Sequence, residues 1–254
     1  DGAKLDPSEG IIQVTKVRNI IDSCGVKIHR RHYKSKNIGL RQSIISGINE
    51  VANSYDAFVV LEDDIVLSKN ALVYARCMLE QFKNHRDIMH VNLWNHPSVN
   101  NKYPYYSSYM HCWGWASWSN YWLDVDFSKR KFSEIKLKDR FRISKGLSTL
   151  HLSHLYANYI GIRDTWAVFW LTHIIINRGK CISPSFALSK NIGLESGEHV
   201  ESYSFEQKLK SIRPNDEFTV VRSSPLSELK IWYKYITGTR FLSTVNMIRI
   251  MLFK

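Results

Sequence analysis

The sequence predicts an α/β fold, an open and mostly parallel β-sheet flanked by helices. Three observations carry that prediction. Residues 40–51 have helical periodicity, residues 57–61 form a short unbroken apolar run, and a further helix and strand follow over 70–82 and 88–93. Helices alternating with short apolar strands are the pattern of a sheet assembled from right-handed strand–helix–strand units.

Each element has its own reason. Val14, Val17, Ile20 and Ile21 recur at three- and four-residue spacing, so a helix is expected over 11–21, with a short strand at 26–28. Leu40, Ile44, Ile45, Ile48 and Val51 share one helical face. Ala57-Phe58-Val59-Val60-Leu61 is apolar on both of its faces, as expected of a strand covered from both sides. The stretch from 94 to 126 is polar and aromatic with weak periodicity, and 129–153 is basic without a clear period. Trp166, Phe169, Trp170 and His173 then mark a helix over 166–177.

Composition bounds the rest. A chain of 254 residues with 44% hydrophobic residues can bury a sizeable core, so one domain over 1–225 is expected, followed by a basic segment over 226–254. The net charge of +12 favours anionic partners, but no run is basic enough for a nucleic-acid arm, and none is expected to bind nucleic acid. Arg30, Arg31, Lys34, Lys36 and Arg41 are placed either to steer an anionic ligand or to form a solvated surface. The four cysteines are scattered without metal-finger spacing, which fits reduced thiols in the cytoplasm. No apolar run is long enough to cross a bilayer. The 226–254 segment mixes lysine and arginine with Trp232, Phe241, Ile250 and Phe253. It suits either a peripheral contact with the inner face of the cell membrane or a helix packed on the domain or on a second subunit.

The sharpest chemical signal is Glu62-Asp63-Asp64 directly after the apolar run. Ligands of open α/β sheets bind beyond the carboxyl ends of strands. Carboxylates crowded there repel one another unless a cation or hydrogen-bond donors intervene, and a hard ion such as Mn²⁺ or Mg²⁺ meets that need. A solvated acidic turn is the plain alternative.

This triplet resembles the acidic metal-binding motif of GT-A glycosyltransferases, which are Rossmann-like, and above all N-acetylglucosaminyltransferase I-like enzymes and their bacterial sugar-transferase relatives. Four further segments are similar to that family in the same order: Asn37-Ile38-Gly39-Leu40-Arg41, Cys112-Trp113-Gly114-Trp115-Ala116-Ser117-Trp118, Arg163-Asp164-Thr165-Trp166, and Lys190-Asn191-Ile192-Gly193-Leu194 with His199 just after. The resemblance implies that the first strand, helix and strand of the fold are absent, with Asp1 at the end of the second strand. It implies an inverting, metal-dependent enzyme of surface polysaccharide or lipopolysaccharide synthesis. The donor would be a nucleotide-sugar, most simply a UDP-sugar, and the acceptor a glycan or lipid-linked glycan. Asp64 would be the metal ligand and Asp164 the general base. Asp1, Arg41, Glu62, Asp63, Trp113, Gly114, Trp115 and His199 would contact the donor or its metal.

Each role has a plainer counterpart: a helix N-cap for Asp164, core packing for Trp113 and Trp115, a surface loop for His199. Two other functions compete. A sugar-nucleotide nucleotidyltransferase would normally display a glycine-rich phosphate loop. A non-catalytic carbohydrate-binding module would be indifferent to metal.

Overall fold

A computed structural model describes residues 2–3, 7–97, 99, 101–128, 135–139, 149–193, 209–211 and 218–222. The chain divides into two compact units, 1–47 and 48–254. The expected boundary at 225 lies outside the described residues, as does the whole 226–254 segment.

In the first unit, helix α1 spans Pro7–Ser23 and a second helix, α2 (Leu40–Ala52), begins. The strand expected at 26–28 does not form; this stretch is irregular. Side chains tie the residues after it to α1. The Arg18 guanidinium donates to the Lys34 carbonyl at 2.6 Å, and Arg31 pairs with Asp22 at 3.0 Å. Val26 is exposed, so no apolar neighbour rewards an extended pairing there. At the entry to α2, Asn37 Oδ1 accepts from the Gly39 N–H at 3.0 Å and Gly39 takes φ +80, a conformation natural to glycine.

The second unit is built on a six-stranded sheet. Its strands are β1 (Ala57–Val60), β3 (Ile88–Asn92), β4 (Tyr105–Ser107), β5 (Trp115–Trp118), β6 (Lys180–Ser183) and β8 (Val221–Arg222), in the order β1-β5-β3-β6-β4-β8. A separate two-stranded sheet pairs β2 (Ile65–Leu67) with β7 (Ser189–Asn191). Helix α3 (Ala71–Phe82) joins β2 to β3, α4 (Ser119–Leu123) follows β5, and α5 (Thr149–Tyr159) and α6 (Ala167–Ile176) precede β6.

The architecture is α/β with helices on both sheet faces, as expected. The strand directions are mixed. β3 pairs with β6 in parallel, as β4 does with β8, while β5 runs antiparallel to both β1 and β3 and β4 runs antiparallel to β6. The parallel core expected from the sequence is therefore the co-directional set β1, β3 and β6, with β5 inserted between the first two. That strand is Trp115-Ala116-Ser117-Trp118, whose four residues are all buried, so no polar–apolar alternation announces it.

Successive residues of a strand face opposite sides. Val91, Ala116, Trp118 and Ile182 meet the α3 stripe of Ala71, Tyr74, Ala75, Met78 and Phe82. His90 and Trp115 point the other way, toward Trp170 of α6. There Phe58, Trp115, Trp122, Trp166 and Trp170 form a continuous aromatic layer. Six of the eight tryptophans (94, 115, 118, 122, 166 and 170) are buried, so most of the tryptophan content serves packing, at about 2–3 kcal/mol for each large side chain buried.

Candidate functional site

β1 ends at Val60 and β3 at Asn92, and the two point the same way; β5 starts between them, with Trp115 opposite both Val60 and Asn92. The residues just beyond those ends therefore share one edge of the sheet: Glu62-Asp63-Asp64 after β1, Leu93 to His96 after β3, and Cys112-Trp113-Gly114 before β5. The triplet forms a turn in which the Ile65 N–H donates to the Glu62 carbonyl at 3.1 Å, and β2 begins at once.

Close packing joins these segments to a third. Gly114 has φ +79, and a Cβ built on it would touch Leu61, Ser189 and Ile65 at 3.4–3.5 Å. It thus sits against residues on both sides of the triplet, where a left-handed backbone needs glycine. The Ser189 hydroxyl donates to the Trp113 carbonyl. Beyond Ser189, the Asn191 amide donates to Asp64 Oδ2 at 2.9 Å, and the Ile192 N–H donates to the Asp64 carbonyl at 2.9 Å. Three of the segments singled out in the sequence, 62–64, 112–118 and 190–193, are brought together.

The electrostatics follow from the crowding. Glu62 is half-buried, and its carboxyl is raised to about 7, first by burial and then by the charges of Asp64 and Asp63. The Cys112 thiol is pushed up to about 12, again chiefly by burial, with Glu62 and Asp64 adding to it. Cys112 is a neutral thiol beside the carboxylates, and all four cysteines are free. Asp64 Oδ1 is buried with no hydrogen-bond partner among the described residues. One oxygen of this carboxylate is held and the other is left over, an arrangement that suits a cation ligand.

Among the described residues, no three His, Cys, Asp or Glu side chains converge as a metal cage. A hard divalent ion does not require one. It binds through one or two carboxylates and completes its shell with phosphate oxygens and water, and a carboxylate with one oxygen left over, as in Asp64, is compatible with that mode.

Asp164 lies, exposed, in the segment between α5 and α6. The alternative of an N-cap does not hold: the helix starts at Ala167, and its cap position is Trp166. Asn158 shapes this segment instead, its Oδ1 accepting from the Thr165 N–H at 2.7 Å and the Thr165 hydroxyl at 3.3 Å. Trp166 stacks on Trp115 at 5.4 Å. Asp164 is therefore two residues from a ring anchored on the ladder position opposite Val60, and Glu62 is two residues beyond Val60.

The remaining candidates divide. Trp115 is fully buried between His90 and Trp166, so it is a core ring and not a ligand platform. Trp113 is half-buried, edge-on to Trp94 at 4.7 Å. Arg41 is half-buried at the start of α2 in the first unit. Asp1 and His199 lie outside the described residues. Asn191, Gly193, Cys112 and Asn158 received no role from the sequence. The first three stood inside quoted segments, whereas Asn158 had no signal at all. A cleft of about 460 Å³ runs along α6, lined among others by Val125, Phe169, His173 and Ile176, and none of the triplet borders it.

Under the carboxyl edge lies a buried polar network. The Trp170 indole N–H donates to His90 Nδ1 at 3.1 Å, so His90 carries its proton on Nε2 and donates to Asn92 Oδ1 at 2.9 Å. That oxygen also accepts the His111 N–H, while the Asn92 amide donates to the Tyr109 carbonyl and the Ser183 hydroxyl, each at 2.9 Å. Every polar atom of the Asn92 side chain is satisfied, which fixes the 109–111 loop leading to Cys112.

No protein-family profile matches the chain, and no curated sequence matches it.

Proposed function

We propose that the protein is an inverting, metal-dependent glycosyltransferase of the GT-A type, moving a sugar from a nucleotide-sugar to a hydroxyl of a glycan acceptor. The observation that carries this reading is Asp64: it stands at the carboxyl edge of the sheet with one oxygen held by Asn191 and the other buried and without a hydrogen-bond partner among the described residues. The nearness of Gly114 and Trp113 to the triplet supports it.

Asp64 would hold Mn²⁺ or Mg²⁺, which would supply Lewis-acid stabilisation of the charge on the leaving diphosphate. Glu62 and Asp63 hold donor hydroxyls or the waters around them. Trp113 offers an aromatic face at the same edge. Asp164 accepts the proton from the acceptor hydroxyl as its oxygen attacks the anomeric carbon. A new carbon–oxygen bond forms on one side while the bond to the diphosphate breaks on the other, so the configuration inverts. The nucleoside diphosphate leaves with the electron pair. A lipid-linked acceptor in surface glycan synthesis, met at the inner face of the membrane, belongs to the same proposal. No helix among the described residues is long and apolar enough to cross a membrane.

Calorimetry with UDP, GDP, CMP and dTDP, with and without Mn²⁺, tests the reading. One nucleotide is expected to bind only with the metal and to lose that binding in Asp64→Ala. Asp164→Asn is expected to keep the binding and to lower sugar transfer by about 100-fold or more, the usual weight of a general base. Metal-independent binding that survives Asp64→Ala would instead favour a carbohydrate- or nucleotide-binding module.

A further inference from the structure

Asp64 is held from a distant part of the chain. It is separated from Asn191 by 127 positions, yet the β2–β7 ladder sets Ile65 opposite Asn191 and so brings the two together. Backbone and side chain are both engaged: the Ile192 N–H takes the Asp64 carbonyl and the Asn191 amide takes Oδ2. Gly193 then closes on the carboxylate from behind. A Cβ built there would lie 2.6 Å from Asp64 Oδ2, 3.1 Å from Asp64 Cβ and 3.3 Å from Asn191 Oδ1.

From this we infer that Asn191 and Gly193 form a clamp that positions Asp64 as a one-oxygen cation ligand. The inference rests on the glycosyltransferase reading of the same carboxylate. An aspartate in a turn is free to rotate about its side-chain bonds and to offer either oxygen or both. The amide removes that freedom by occupying Oδ2, so Oδ1, buried and without a hydrogen-bond partner among the described residues, is the oxygen left for a cation. An amide also suits the task electrically. It donates a hydrogen bond without bringing a charge, so it orients the carboxylate without neutralising it. A lysine or arginine in its place would compete with the cation. Gly193 is required because any side chain would fill the space that Oδ2 occupies. These are positioning residues, acting on the site through Asp64.

Titrating the full chain with UDP in the presence of Mn²⁺ tests the clamp through two variants of opposite chemistry. Asn191→Ala removes the donor, while Gly193→Ala keeps it and pushes the carboxylate away. Both are expected to raise the Kd for Mn²⁺-dependent UDP binding by about 10- to 100-fold, the usual effect of losing the group that orients a metal ligand. Their circular dichroism should match wild type, and their melting temperatures should fall only slightly. Variants that melt lower but bind UDP and Mn²⁺ like wild type would overturn the inference and leave the clamp a fold contact. If the wild-type chain tightens on UDP with Mn²⁺ and Asp64→Ala does not, the site reading stands whatever the clamp variants do. If the wild-type chain binds none of UDP, GDP, CMP and dTDP in a metal-dependent way, that reading fails and takes the clamp with it.

Discussion

Glu62 is ionised at a cost. Its folded carboxyl sits near 7, above its ordinary value of 4.5, because burial and two neighbouring carboxylates disfavour the charge. A raised pKa contributes stability that is complete below about 4.5 and is lost as the pH rises through 7. Glu62→Gln removes that loss. In EDTA, urea melts should show the variant more stable than wild type at pH 8, by on the order of 2 kcal/mol, with the difference vanishing near pH 4. A constant difference across that range would mean that Glu62 is better solvated than its place in the turn indicates. The residue types were legible here: three carboxylates after an apolar run already pointed to repulsion in need of relief. Which oxygen is held and which is left over was not, because that depends on Asn191, 127 positions away.

Among the elements, the connection from α5 to α6 is the one on which the proposed transfer would depend most. Asn158 is fully buried and supplies the acceptor that ends the turn before Trp166, while Asp164 hangs on the same short segment. Asn158→Ala should cost about 1–3 kcal/mol, the penalty of leaving buried N–H and hydroxyl groups unpaired. Turnover should fall while Mn²⁺-dependent nucleotide binding stays, a split read from kcat against the nucleotide Kd. Loss of both together would place Asn158 in the general fold. Helices α2, α3 and α6 were readable because each repeats its apolar residues at helical spacing. Strands β4 and β5 were not: one is three residues long and the other is buried throughout. The strand expected at 26–28 had the right residues but no partner.

At the scale of the molecule, burial of neutral histidines sets the acid limit. His90, His111 and His151 are each lowered to about 3 and His154 to about 4, by burial above all. The unfolded chain takes up these protons near pH 6.5 and the folded chain does not. Stability is therefore fully present above about 6.5 and is lost as the pH falls toward 3, at up to about 1.4 kcal/mol per pH unit for each histidine. Urea midpoints should drop steadily from pH 7 to pH 5. His151→Gln, which retains a donor toward Thr172 Oγ1, should flatten that slope by one histidine's share. An unchanged slope would assign the acid sensitivity to other groups. Between about pH 4.5 and 7 Glu62 acts in the opposite direction, with one group's slope against those of the four histidines, so it offsets only part of the acid loss.

The sequence by itself determined the α/β class, the long helices and the acidic triplet at a strand end, because periodicity and local charge are properties of neighbouring residues. Tertiary structure decided which rings and which polar groups stand beside the triplet. Trp113 and Trp115 are two residues apart and alike in type, yet one is half-buried beside the triplet and the other is sealed in the aromatic layer. Asn191 stands without a role inside its quoted segment until the β2–β7 ladder sets it against Asp64. Burial and long-range pairing depend on where distant segments meet, and local pattern carries no record of that.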